Sequence, residues 1–165
     1  QFDMLGRAVR PVAADNLHVT LKFLGETDPS VVPDVVAVIE NACANQTAFE
    51  TKLVGLGAFP HAGRPAVVWV GLNDASPLEQ IAAVLENELE PLGFARERRL
   101  FHPHLTLARV KSRPPDELHR LLIDDAATEF GRATIDAVTL YQSELRPEGA
   151  RYLSLSSTVL RTQGG

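Results

Sequence analysis

The chain has 165 residues, 45% apolar and 22% charged, close to ordinary globular usage and enough for one domain with a full core. Its formal charge of −5 excludes a blanket polyanion binder, so any nucleic-acid site must be a local positive patch. No apolar run approaches the roughly 20 residues that span a bilayer, and one cysteine, Cys43, makes no internal disulfide, so a cytoplasmic, reducing setting without a membrane partner is expected.

Residues 16–24, NLHVTLKFL, alternate and are rich in apolar and β-branched types, which predicts a strand. GETDPS follows as a turn with a helix start near Asp28 or Ser30. Val32, Val35, Val36, Ile39 and Cys43 then recur at helical spacing through 31–44. AFETKLVGL (48–56) predicts a strand, GAFPHAGRP a loop, and AVVWVGL (66–72) a buried strand. The clearest helix is ASPLEQIAAVLENELEPLG, with Ser76 as N-cap, Pro77 in the first turn, Glu79 three residues after the cap and Gly93 past the end. A strand over 104–110, a short helix from Asp116 to Ile123, and strands over 132–145 and 150–160 around the turn RPEGA complete the order. No linker divides the chain, so residues 1–165 are expected to form one domain.

Two blocks of similar make-up each open with a His-x-Thr strand, at His18 and at His104, about half the chain apart. This predicts an α+β protein of two pseudo-symmetric lobes, each a small sheet with helices on one face. Residues i and i+2 of a strand share a face, so His18 pairs with Thr20 and His104 with Thr106, while Val19, Leu21, Phe23, Leu105 and Leu107 face the other way and can supply core. If both strands are central, two imidazoles and two hydroxyls converge on a cleft. Such a set suits in-line attack on a phosphodiester: one histidine accepts a proton from water, the other gives one to the leaving oxygen, and the hydroxyls donate to the phosphoryl oxygens. The scheme requires no metal or other cofactor.

Other features point less sharply. RERR, Arg96 to Arg99, with Arg109, Lys111 and Arg113 beyond, reads equally as a phosphate-binding patch and as a solvated loop. Lys22 shares the parity of His18 and Thr20 and reads equally as a charge at the cleft rim and as a solvated side chain. His102 is taken as a residue that supports the site residues from behind or marks the strand's entry, rather than a zinc ligand, because no compact cluster accompanies it. His61 and His119 read as surface residues. GLGAFP lacks the Lys-Ser/Thr of a phosphate-binding loop.

With both His-x-Thr motifs in view, the chain resembles the 2H phosphoesterase superfamily, and within it the bacterial and archaeal RNA 2′,3′-cyclic phosphodiesterases, historically called 2′-5′ RNA ligases. NLHVTLKFLGE, GLGAFPHAGRPAVVWVGL, FHPHLTLARV and LYQSELRPEGARYLSL carry the resemblance. It implies a bilobal fold of two antiparallel sheets with outer helices and a central cleft. It also implies metal-independent opening of a terminal 2′,3′-cyclic phosphate on RNA to a 2′-phosphate. By the family picture His104 activates water and His18 protonates the 3′ oxygen, although the symmetry of the motifs does not separate the two roles. Thr20 and Thr106 would hold the phosphate, with Arg109 a further phosphate ligand. Strict alternation puts Arg109 on the Leu105/Leu107 face, so it reaches the site only if the strand twists or bulges. The implied partners are RNA ends or small cyclic nucleotides, and the implied state is a monomer. Ligation of RNA ends, small cyclic-nucleotide hydrolysis and non-catalytic RNA-end binding stand as alternatives. Family members usually open with a strand and helix before the first motif. QFDMLGRAVRPVAAD reads as the tail of that helix plus a loop, so that opening strand is expected to be missing here.

Overall fold

A computed structural model of the protein describes residues 2–146 and 149–162. It is an α+β protein with antiparallel sheets of five and two strands, and its contacts divide it into two units. Pro147 and Glu148 of the predicted RPEGA turn lie outside the described residues.

The first unit holds residues 1–20, 51–75 and 102–133. Its sheet contains β1 (Val9–Pro11), β2 (Phe49–Phe59), β3 (Val67–Asn73), β4 (His104–Val110) and β5 (Glu129–Ile135), in the order β1-β4-β3-β2-β5. The alternation in AVVWVGL sends Val68 and Val70 to one face, where they meet Leu56, Ala58 and Ala108. The cover here is α3 (Asp116–Asp124), whose Leu118 and Leu122, one turn apart, complete this core. Asp116 and Glu117 in the first turn of α3 complement its dipole. Val54 and Leu56 flank a bulge at Gly55, which has φ 75°. A Cβ there would lie 2.5 Å from the Ala126 carbonyl oxygen, so only glycine fits this crossing.

The second unit holds residues 21–50, 76–101 and 134–165. Asp28 accepts a hydrogen bond from the Ser30 N–H at 2.8 Å, opening a 3-10 turn that runs into α1 (Val32–Cys43). The helix α2 (Ser76–Glu88) begins at Ser76 itself, and Gly93 closes the following turn at φ 95°. Val35, Ile39 and Cys43 of α1 pack with Ile81 and Leu85 of α2 and with Val138 of the hairpin β6 (Ala137–Arg146)–β7 (Gly149–Val159). Burial pushes the Cys43 thiol above its usual pKa, so it sits in this core as a neutral apolar group.

The structure revises several sequence expectations. The segment 16–24 is not a strand; only Val19 forms a bridge, antiparallel to Leu105. The far end of that edge of β4 is taken instead by β1, paired over Ala108 to Val110. That strand lies in the stretch read as a helix tail and loop; at three residues it is too short to show alternation. The single strand expected over 132–145 is two, β5 and β6, divided at Asp136, whose carbonyl accepts from Leu160 N–H at 2.7 Å. Both His-x-Thr motifs belong to the first unit, since the Val19–Leu105 bridge ties the first motif to β4.

Lys22 is neither a rim charge nor solvated. Its side chain is 3% exposed and pairs with Glu86 at 2.7 Å, while Nζ also donates to the Ala95 carbonyl at 2.9 Å. Burial raises the Glu86 pKa, but hydrogen bonds from Lys22 and the Glu97 N–H, with the charges of Lys22 and Arg96, outweigh it and hold the carboxyl below its usual 4.5. A depressed folded pKa contributes stability above the unfolded value that is lost as pH falls through the folded one. Lys22→Met is therefore expected to cost about 2 kcal/mol at pH 7, the usual scale for hydrogen bonds to charged groups. The gap to wild type should close as pH drops below about 4. Urea unfolding at both pH values checks this; a variant as stable as wild type at pH 7 would show the pair to be energetically idle.

Candidate active site

His18, Thr20, His104, Thr106 and Arg109 all lie in the first unit. The Val19–Leu105 bridge is antiparallel, so continuing its register by one residue sets His18 beside Thr106 and Thr20 beside His104. His104 and Thr106, two residues apart on β4, share the face opposite Leu105, and the bridge brings the first motif alongside them, with His18 and Thr20 on either side of Val19. Leu105 points away from them and joins the core under the sheet.

The two histidines are held in the same way. His18 Nδ1 lies 2.8 Å from the Asn16 carbonyl oxygen and His104 Nδ1 lies 2.7 Å from the His102 carbonyl oxygen. A carbonyl only accepts, so each Nδ1 carries a proton and donates it. Each neutral ring is thereby the tautomer whose Nε2 is the basic nitrogen, the arrangement a proton-transfer histidine requires. Both rings are half-buried, Thr106 is half-buried and Thr20 is exposed.

The face of β4 carries one irregularity. On β3, Val68 and Trp69 are consecutive, yet their partners on β4 are Ala108 and Thr106, so Leu107 is an extra residue. This bulge inverts the alternation beyond it. Ala108 takes the core face with Val68, and Arg109, paired with Val67, takes the face of Trp69, Thr106 and His104. Arg109 is exposed, and Arg10 of β1 stands directly opposite it.

Around His104 is an aromatic group that sequence reasoning missed. Phe59 meets the His104 ring edge-on at 5.0 Å between centroids, and Trp69 lies 5.4 Å from Phe59 and 6.0 Å from His104. His102 meets Trp69 at 5.0 Å and stacks on His104 at 6.3 Å, so of its two expected roles the structure gives it the one behind His104. The indole lies over Gly57, where a Cβ would come within 2.2 Å of the ring; the absence of a side chain at 57 is what lets Trp69 lie flat on β2. The signal was in AVVWVGL, since alternation alone puts Trp69 opposite in face to Val68 and Val70. Trp69 Nε1 is buried and makes no hydrogen bond among the described residues, beside a cavity of about 180 Å³ that Trp69, His102 and Asn73 help to line. Among the described residues no group of three or more His, Cys, Asp or Glu is placed to hold a metal ion.

Arg96 pairs with Glu90 at 2.8 Å, and Arg96 to Arg99 lie in the second unit.

Comparison with known proteins follows the same lines. Residues 7–147 match the family model described as the 2′-5′ RNA ligase superfamily. The chain is 35% identical over 161 residues to a protein of Aeropyrum pernix named RNA 2′,3′-cyclic phosphodiesterase, covering 96% of this chain and 90% of that one. It is 36% identical over 149 residues to a protein of the same name from Archaeoglobus fulgidus, covering 89% of this chain and 81% of that one. Among solved structures, TT0787 of Thermus thermophilus superposes with a TM-score of 0.81 at 30% identity, covering 96% of this chain and 86% of that one. E. coli LigT complexed with 3′-AMP gives a TM-score of 0.71 at 31% identity, covering 93% and 82%.

Proposed function

This chain belongs to the 2′-5′ RNA ligase superfamily, and from that premise we propose that it is an RNA 2′,3′-cyclic phosphodiesterase that opens the terminal cyclic phosphate to a 2′-phosphate with two histidines and without a metal ion. The observation that carries the reading is the matched anchoring of His18 and His104 by Nδ1, which makes Nε2 the basic nitrogen of each neutral ring.

In the proposed step, neutral His104 Nε2 takes a proton from water as the water oxygen bonds to phosphorus. The bond from phosphorus to the 3′ oxygen breaks, and the imidazolium of His18 gives that oxygen its proton. One water is consumed, the 2′ ester survives, and the histidines end with exchanged protonation states that solvent resets. Thr20 and Thr106 donate hydroxyl hydrogen bonds to the non-bridging oxygens, and Arg109 offsets the charge that builds on them. The relatives' shared name, and the 3′-AMP in the LigT complex, support a nucleotide end as the ligand.

The test is a short RNA ending in a 2′,3′-cyclic phosphate, incubated with the protein and a chelator, with the end products resolved. A 2′-phosphate is expected. A 3′-phosphate would reverse which bond breaks, and activity lost to chelator but restored by zinc would overturn the metal-independent mechanism.

A further inference from the structure

A second basic feature lies beyond the end of β4. The loop between β2 and β3 and the segment after Val110 enclose a cavity of about 500 Å³ lined by Arg64, Lys111 and Arg113 among Pro60, Pro65 and Pro114. One backbone bond joins the two sides, from Val110 N–H to the Ala66 carbonyl at 2.9 Å, and a second, from Arg64 N–H to the His61 carbonyl at 3.0 Å, tightens the loop itself. The prolines restrict the backbone on both sides. Among the described residues, none of the side chains of Arg64, Lys111 and Arg113 has an ion-pair or hydrogen-bond partner, in a chain with 21 acidic residues against 16 basic ones. Carboxylates to neutralise these cations are plentiful, yet none is placed against them. Three cations held together without counter-charges carry a self-repulsion that an anionic ligand removes.

The groove also begins just past Arg109 along the chain. Arg109, brought to the His104 face by the bulge, is two residues from Lys111, about 7 Å of extended chain. That is the order of the spacing between neighbouring phosphates of a single strand. A lone phosphate would fill little of the cavity, whereas successive nucleotides would meet Arg64, Lys111 and Arg113 in turn.

We propose that this groove binds the phosphates of the nucleotides on the 5′ side of the RNA's cyclic end, so that the enzyme prefers oligonucleotide ends to cyclic mononucleotides. The proposal rests on the phosphodiesterase reading above and adds a substrate-length preference to it.

The experiment compares kcat/KM for a five-nucleotide RNA ending in a 2′,3′-cyclic phosphate with that for a 2′,3′-cyclic mononucleotide, in wild type and in the combined variant Arg64→Gln, Lys111→Gln, Arg113→Gln. Wild type should favour the oligonucleotide by about 10- to 100-fold at 50 mM salt, with a slope of log affinity on log salt of roughly −0.7 per phosphate contact. The variant should lose most of that preference and flatten the slope by about two. Its rate on the mononucleotide should stay within about twofold of wild type, because the altered residues lie outside the reacting group. Arg64→Lys with Lys111→Arg should keep the preference, since charge is what phosphates read. An unchanged preference in the triple variant, or equal losses on both substrates, would overturn the groove. Failure of wild type on both substrates would count against the parent reading instead. Anisotropy of a 5′-labelled RNA then decides the groove by itself: binding weakened in the triple variant supports it, and equal binding refutes it.

Discussion

His18→Ala and His104→Ala are each expected to lower turnover of an RNA 2′,3′-cyclic phosphate by about 10²–10⁴-fold, the usual contribution of a positioned proton-transfer group. The reason is local. Each ring spends Nδ1 on the carbonyl two residues before it, so the ring is oriented by its own backbone and acts through Nε2. Alanine removes the ring and leaves one carbonyl to water at a half-buried position, so the fold should survive. The double variant should be little worse than either single one, because a base without its acid partner completes no turnover. Wild-type kcat/KM should trace a bell against pH, since one imidazole must be neutral while the other is protonated. His104→Ala should remove the acidic limb if His104 is the base, since the loss of rate at low pH then reports its protonation. Near-wild-type turnover in either single variant, with folding verified by circular dichroism, would end the two-histidine mechanism.

Arg109→Ala should cost about 10²–10³-fold in kcat/KM, the range for a donor aimed at developing charge on an oxyanion. The bulge at Leu107 makes this prediction specific to the structure, because it turns Arg109 onto the face of Thr106 and His104. Arg109 is exposed and its side chain makes no ion pair or hydrogen bond among the described residues, so it adds little to stability. Removing the guanidinium should therefore leave thermal stability nearly unchanged while activity falls. A residue with only a structural role would move both downward. Arg96→Ala serves as the control: its partner is Glu90 in the second unit, and activity should be unaffected. Arg109→Lys should recover part of the loss, as it keeps the charge without the paired donors. If Arg109→Ala keeps full activity, the arginine is no phosphate ligand.

The missed and the legible parts of the site differ in physical kind. His18, Thr20, His104 and Thr106 were nominated by two local spacings, and a face rule of period two follows from backbone geometry alone. The helices were equally open to reading, because Asp28 and Gly93 act on neighbours a few residues away and the Val35–Ile39–Cys43 stripe repeats with the helical turn. The aromatic wall was not read, since Phe59, Trp69 and His102 become neighbours only when β2, β3 and β4 are laid side by side. Lys22 had the right parity for the site, yet its charge is satisfied by Glu86, 64 residues later in the chain.

What the amino-acid order determined unaided was the chemistry: two histidines, two threonines, their spacings, and the family they resemble. The tertiary structure decided which groups share a face. One extra residue in β4 moved Arg109 from the core side to the site side, and a single bridge at Val19 brought the first motif beside the second where a whole strand had been expected. Arg64 reached Lys111 and Arg113 only through the packing of two loops. Local periodicity is dictated by bonded geometry and can be read along the chain. Register, bulges and the meeting of distant charges depend on which segments pair, and that is settled by burial and hydrogen bonding across the whole sheet.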